Sequence, residues 1–554
     1  PFVDDLAGNP PLTEADLAAA ERLFGVSHTP DERRLMLHPA PGPLAEQLAL
    51  TLRRRAMELP HDLAPALRFD PRLPGFTMPE PGPLLVPEHE PPLPASDEEI
   101  AFAPVTALSA WIKGQKLSCL RLAEIYLDRI GRHNGQLLCY AALNPKAREE
   151  AARLDAMLAA GRHLGPLHGI PYACKDIIDT AGLATDWGAE PYRGRIPEHD
   201  AVVVRRQRAA GAVLLGKSSV GALAYGDLWH GGRTRNPWNI EEGSSGSSAG
   251  SASATAAGLC GFSLGTETLG SIVSPSTRCG TVGLRPTFGR VARAGAMALC
   301  PSLDKIGPIC RSVEDTALVL AAINGADMGD FASIAAPFGG DLGRSVSGMR
   351  LGWFPADLEA EGATEADRAT LDAAAALGAE LVPLERPDLP YDSLVSILMA
   401  EAAASFETLT LSGRDDELAW QEAEAWPNQF RMARFLSAVD HVQLDRLRRR
   451  VMEEMDRLFS RVDAILGPSL AGPMLVISNF TGHPCLCLPD GFIEAPTRGR
   501  DTLSGTRPGP DAALHRVPRS ISIWGRLFEE ATPLALGRAL AARLALDLRP
   551  PAFR

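Results

Sequence analysis

Apolar residues recur three and four positions apart through SDEEIAFAPVTALSAWIKGQ and SCLRLAEIYLDRIGRHN, each stretch opened by a serine. That spacing, with a hydroxyl at the start, is the pattern of capped amphipathic helices. Short apolar runs of strand length are interspersed with further helical stretches: GIPYACKDII, AVLLGKSS, LCGFSLGTE, GMRLGWFP, AELVPLE, VDAILGP, CLCLPDG and SISIWGR. Strand-sized runs between helices predict an α/β fold built on a mixed sheet. A Gly/Pro/Arg-rich insert, TRGRDTLSGTRPGPD (497–511), interrupts the last runs and is expected to be a loop.

The first 95 residues have another texture. Thr13 precedes EADLAAAERLFGV with acidic residues in the first turn, an N-cap signature. Thr29 and Pro30 open a second helix, with proline at its first position, and residues 41–60 carry a third helical pattern. From Pro60 to Pro94 a proline falls every few residues, which regular helix and central strand cannot accommodate. The expected organisation is a helical extension over 1–60, an extended strap or linker over 61–95 laid on the main body, and a large α/β domain over 96–554.

Composition narrows the function. With 554 residues, 45% of them hydrophobic, the chain can bury a large core. A net charge of −13 and the lack of a long basic run argue against nucleic acid and anionic membrane as general partners. Arg446, Arg448, Arg449 and Arg450 cluster among apolar positions three or four apart and are expected on the solvent face of a helix. No apolar run is long enough to span a bilayer. Nine scattered cysteines, the closest pair being Cys485 and Cys487, show no metal-ligand spacing and fit reduced thiols in a cytoplasmic protein.

The most informative segment is GSSGSSAGSASATAAGLCGFSLGTETLGSIVSPSTRCGTVG, Gly243 to Gly283. It is too rich in Ser and Gly for an ordinary core, yet Leu259, Phe262, Leu264, Ile272 and Val273 make it no linker. A phosphate-cradling loop needs a Gly-Lys-Ser/Thr end, and no lysine occurs between Ser219 and Asp304. The glycine spacing does not suit a dinucleotide loop either. A serine hydrolase site remains, but the nearest histidine, His230, and the context Leu269-Gly270-Ser271-Ile272-Val273 do not make a His-dependent elbow. Lys175, at the end of an apolar run, is the alternative base: burial lowers a lysine pKa, and a neutral amine accepts a proton. Pairing of Lys175 with Asp176 or Asp179 is the plain structural alternative.

At these residues the chain resembles the amidase signature family of Ser–cis-Ser–Lys hydrolases, over roughly residues 96–546. The lysine motif stands as Gly169-Ile170-Pro171…Lys175-Asp176…Asp179…Gly182. RNPWN (235–239) precedes Gly246-Ser247-Ser248-Ala249-Gly250-Ser251, followed by Ala256-Ala257-Gly258, then Gly265-Thr266-Glu267-Thr268-Leu269-Gly270-Ser271 and Cys279-Gly280…Gly283-Leu284-Arg285-Pro286-Thr287…Gly289-Arg290-Val291. SNFTGHPCLCLPDGF (478–492) resembles a further family strand. The resemblance implies a mixed twisted sheet covered by helices, with Ser271 as nucleophile, Ser247 as the cis-serine relay and Lys175 as base. In the family the relay lies 24 residues before the nucleophile, which selects Ser247 over Ser244. The backbone N–H groups of Thr268, Leu269, Gly270 and Ser271 are then expected to form the oxyanion hole, with Ser248 and Ser251 supporting the relay. No cofactor or metal is implied.

Two departures bear on substrate. Leu269 stands where the family often has Gly, and Val273 and Ser274 stand where many members carry an Arg. With no cation after Ser271 until Arg278, the acyl group is expected to be neutral or hydrophobic, contacted by Tyr225, Leu269 and Val273. Met297, Leu299, the loop Tyr225–Gly232 and region 392–440 are further candidates for the pocket wall. The expected activity is hydrolysis of small-molecule amides, extending to esters, anilides or carbamates; assembly as a homodimer is compatible with it. The alternative is a glutamine-dependent amidotransferase A-type subunit, since LTEADLAAAERLFGVSHTPDERRLML and the strap are similar to the small C-type component of tRNA-dependent amidotransferases.

Overall fold

The computed structural model describes residues 12–38, 44, 59, 61, 67–88, 90–498 and 513–554. The extension begins with α1 (Glu14–Phe24) and α2 (Pro30–Leu37). Thr13 and Thr29 close reciprocal capping boxes with Asp16 and Glu32. The third helical pattern, over 41–60, and most of the loop at 497–511 lie outside the described residues.

Beyond the strap, eleven strands form one sheet: β1 (Tyr140–Leu143), β2 (Pro171–Lys175), β3 (Val213–Ser218), β4 (Phe262–Glu267), β5 (Val282–Arg285), β6 (Lys305–Cys310), β7 (Arg350–Trp353), β8 (Glu380–Pro383), β9 (Ala464–Pro468), β10 (Cys485–Pro496) and β11 (Leu514–Gly525). Their order is β8-β7-β9-β11-β10-β5-β6-β4-β2-β3-β1. β4-β2-β3 and β8-β7-β9 are parallel, while the pairings from β9 through β11, β10, β5 and β6 to β4 are antiparallel, so the sheet is mixed. All eight apolar runs predicted as strands are in it. β1, β5 and β6 are additional. β6 reads KIGPIC and places Pro308 opposite Leu264 in the middle of the sheet, where a residue without an N–H is normally excluded.

The first predicted helical run splits. Pro104 ends a short helix at Phe102 and precedes a second, Val105–Lys113, because proline disfavours helical geometry in the residue before it. Ser96 and Ser118 cap as expected. Helix α3 (Ala249–Ala256) follows the Ser/Gly stretch and is buried along its whole length. The carbonyls of Ala257 and Gly258, just past its C-terminal end, accept from the buried guanidinium of Arg129, which also reaches the Phe553 carbonyl near the chain end. Helix α4 (Val273–Cys279) follows Ser271.

On α5 (Ala438–Phe459), Arg446, Arg449 and Arg450 are exposed as expected, but Arg448 is buried. Its guanidinium donates to the Phe480 and Ser302 carbonyls and to Ser302 Oγ, and lies 3.4 Å from the centre of the Phe69 ring in the strap. Spacing alone put all four arginines on one polar face; the strap and the Phe480 region cover the edge where Arg448 sits.

The strap is extended and attached. Phe69 packs edge-on against Phe288. Leu84–Leu85 pairs in parallel with Gly340–Asp341, and the Pro91 carbonyl accepts from Trp111 Nε1 at 2.7 Å. Helix α6 (Ala531–Leu544) lies against β10. Glu530, just before it, is fully buried and accepts from Thr287 N, Thr287 Oγ1 and Arg290 Nε at 2.7–2.9 Å. All nine cysteines are buried and unpaired. Among the described residues no helix is long and apolar enough to cross a membrane.

Candidate active site

β2 delivers Lys175 at its last position, with the side chain fully buried. Its Nζ lies 2.9 Å from Ser247 Oγ, 3.0 Å from Ser248 Oγ, 2.7 Å from Thr266 Oγ1 and 3.2 Å from the Thr266 carbonyl. No ion pair forms on it among the described residues. Asp176 instead accepts from the Asp186 N–H, and Asp179 pairs with Arg195. Burial holds the Lys175 amine well below the usual lysine range, with Asp304 and Glu267 pulling weakly the other way. A site with hydroxyl and carbonyl partners and no carboxylate favours an uncharged amine.

The Ser/Gly stretch packs its hydroxyls around that amine. The Gly246–Ser247 peptide bond is cis. A Cβ on Gly246 would run into the Gly226 carbonyl, so the chain can pass here only without a side chain. Ser248 Oγ donates to the Thr266 carbonyl and accepts the Thr266 N–H, and the Ser248 N–H donates to the Ser271 carbonyl at 3.1 Å. Ser251 Oγ bridges Ser218 Oγ and the Leu264 carbonyl. The turn carrying Ser247 is thereby tied to β4 and to the Ser271 loop.

Ser271 is 8% exposed and sits between β4 and α4. Glu267 fixes that junction. One of its carboxylate oxygens accepts the Ile272 and Val273 N–H groups at 2.8 and 2.9 Å; the other accepts from Arg285 and Asn479. A carboxylate at a helix N-terminus satisfies donors that the helix leaves open. Despite complete burial, the Arg285 guanidinium, Lys305 and these N–H bonds hold the Glu267 carboxyl down at about 2. Gly270 has a φ of +83°, and its carbonyl accepts from Ser274 N. The N–H groups of Leu269, Gly270 and Ser271 donate to no oxygen among the described residues. Thr268 Oγ1 donates to Asp304 at 2.6 Å.

Of the residues expected to touch substrate, Tyr225 and Leu269 are half-buried and Val273 is fully buried in the core. Tyr225 lies against Trp420 and Trp426 at 5.3 and 5.0 Å. A cavity of about 450 Å³ opens beside Lys175 through Thr266 and Thr268. Met297 and Leu299 line it, but Leu269, Val273 and the segments 225–232 and 392–440 do not; Ile177, Ala224, Lys305 and Phe331, which the sequence did not single out, line it too. Lys305 was hidden in SLDKIGP, where it looks like an ordinary surface lysine at a strand start. Among the described residues no group of three or more His, Cys, Asp or Glu side chains has metal-binding geometry.

A buried lysine, a cis-linked serine and a second serine on a capped loop define the class, and the comparisons with known proteins agree. The amidase family model matches residues 121–493. The chain belongs to the amidase signature family, whose enzymes act on carbon–nitrogen bonds of amides. It is 33% identical to the A-type subunit of glutamyl-tRNA(Gln) amidotransferase from Anaeromyxobacter dehalogenans over 476 residues, 80% of this chain and 96% of that one. Among solved structures it is similar to native peptide amidase from Stenotrophomonas maltophilia, with a TM-score of 0.69 and 29% identity over 81% of this chain and 98% of the other. A vestigial protein complex that bears on the evolutionary origins of an s-triazine catabolic enzyme gives 0.70 and 28%, over 80% of this chain and 98% of that one.

Proposed function

We propose that the chain is a cofactor-free amide hydrolase working through Ser271, Ser247 and Lys175 on neutral or apolar small-molecule amides, with esters, anilides and carbamates as further substrates. The observation that carries this reading is the 2.9 Å contact between a fully buried, ion-pair-free Lys175 amine and the hydroxyl of Ser247. Ser271 Oγ attacks the carbonyl carbon. Its proton passes to Ser247 Oγ while the Ser247 proton passes to Lys175 Nζ. The oxyanion is held by the N–H groups of the loop Thr268, Leu269, Gly270 and Ser271. Collapse of the tetrahedral intermediate breaks the C–N bond and returns the proton to the leaving nitrogen. Water then repeats the relay on the acyl-enzyme, releasing the acid. Tyr225 and Leu269, both half-buried, are assigned to shaping the substrate site; Val273, buried in the core, is not.

The test is hydrolysis of aryl, alkyl and carbamate amides by the purified chain alone. Ser271→Ala and Lys175→Met are each expected to lower kcat at least about 10³-fold. Activity is expected to fall in acid as Lys175 takes up a proton, since only the neutral amine acts as base. Near-wild-type turnover in either variant would sink the assignment.

A second reading is supported by the similarity to A-type amidotransferase subunits: Ser271 attacks glutamine, and the ammonia released passes to a partner. It predicts glutamine hydrolysis in preference to the apolar panel, rising when a partner protein, tRNA and ATP are supplied.

A further inference from the structure

Among the described residues, the cavity beside the triad contains one amine with little to bind. Lys305 opens β6 directly opposite Glu267, so the two side chains share a face of the sheet. Its side chain is almost completely buried and lines the cavity. Its hydrogen-bond contact is a 3.5 Å approach to the Thr268 carbonyl, and no ion pair forms on it among the described residues. Buried amine N–H donors with one long contact are costly to leave unused. The other charged groups there are engaged. Arg293 holds Asp330 at two nitrogens and donates to the Pro301 and Asp304 carbonyls. Asp304 accepts from Thr268 Oγ1 and from the Leu299 and Cys300 N–H groups. Glu267 is taken by Arg285, Asn479 and the start of α4.

The rest of the lining says what the free donor would meet. Ile177, Met297, Leu299, Ile306 and Phe331 make it chiefly apolar. Three carboxylates, from Glu267, Asp304 and Asp330, stand against two guanidiniums, from Arg285 and Arg293, and the Lys305 amine, whose charged form burial disfavours. A fourth carboxylate would add to this negative balance, whereas an uncharged acceptor adds no charge and uses the idle N–H.

We propose that Lys305 is a specificity-determining residue: it donates a hydrogen bond to an uncharged carbonyl oxygen on an otherwise apolar arm of the substrate lodged in this cavity, apart from the scissile carbonyl. The inference rests on the amide-hydrolase reading for its setting. It adds a requirement that the triad does not impose, a second carbonyl in the preferred amide. Burial keeps the Lys305 amine well below the usual lysine range, which suits a neutral acceptor over an anion.

The test uses the full chain and four anilides: hexananilide, 5-oxohexananilide with the extra carbonyl on the acyl arm, N-(4-acetylphenyl)hexanamide with it on the leaving arm, and the monoanilide of adipic acid. In Lys305→Met the preference in kcat/KM for one of the two ketones over hexananilide is expected to fall about tenfold, carried by KM. Lys305→Gln, which keeps a donor, is expected to retain part of it. Binding of the same ligands to Ser271→Ala and to Ser271→Ala/Lys305→Met, read by calorimetry, should show the same ratio. Absence of hydrolysis by the wild-type chain therefore counts against the functional reading while the binding ratio still decides Lys305. A uniform loss on all ligands, or a loss confined to kcat, overturns the proposal in favour of a role through the Thr268 carbonyl. A loss confined to the adipic monoanilide overturns the neutral-acceptor class.

Discussion

Glu267 binds the site together at the scale of single residues. It joins the first N–H groups of α4, the buried Arg285 and Asn479, and it stands four residues before Ser271. Glu267→Gln keeps the shape but removes the charge, leaving Arg285 buried without a counter-ion, a change that typically costs about 3–5 kcal/mol. We expect lower urea resistance and a kcat reduced about tenfold or more, measured on the best amide of the panel. The pH dependence has a definite direction. Glu267 titrates at about 2 in the folded chain against 4.5 for the free group, so its stabilisation is complete above pH 4.5 and is lost as pH falls toward 2. Thermal melts across that window should decline less steeply in Glu267→Gln than in the wild type. Little of this was legible beforehand. Lys175, Ser247 and Ser271 could be proposed as a triad because they sit in motifs of fixed order and spacing. Glu267 and Lys305 act through cross-strand and loop contacts that no local pattern encodes.

The elements were legible where hydrophobic runs were uninterrupted. β2, β3, β4 and β7 through β11 stand out as apolar runs of strand length. β5 and β6 do not, because Gly283, Gly307 and Pro308 break the period in a central part of the sheet. Small residues are required there: a Cβ on Gly307 would meet the Leu284 carbonyl on the neighbouring strand. The junction of α6 with the sheet was likewise invisible, since Glu530 looks like any surface acid before a helix. It is a fully buried acceptor for Thr287 and Arg290. Glu530→Ala strands a buried guanidinium and is expected to cost about 3–5 kcal/mol, read as a lowered urea midpoint. An unchanged midpoint would show that α6 is held by its apolar face alone.

At the scale of the molecule, proline spacing made the strap legible as extended chain but not where it attaches. Phe69 lies against Phe288 and over Arg448, Leu84–Leu85 adds to Gly340–Asp341, and Pro91 receives Trp111. We expect removal of residues 1–94 to lower the melting temperature, with Phe69→Ala reproducing part of the effect at about 1–3 kcal/mol. If the truncated chain melts with the full one, the strap is not a structural clamp. The nine thiols give that experiment a second readout. Every one is buried, the first in the chain is Cys119, and burial raises Cys174 and Cys487 to about 11. A thiolate-seeking reagent at neutral pH therefore finds almost nothing in the closed fold. The cysteines form a silent clock distributed through the α/β body and absent from the extension. The rate at which each becomes labelled measures how often its own neighbourhood opens, so the strap's hold on distant strands can be timed without adding a probe.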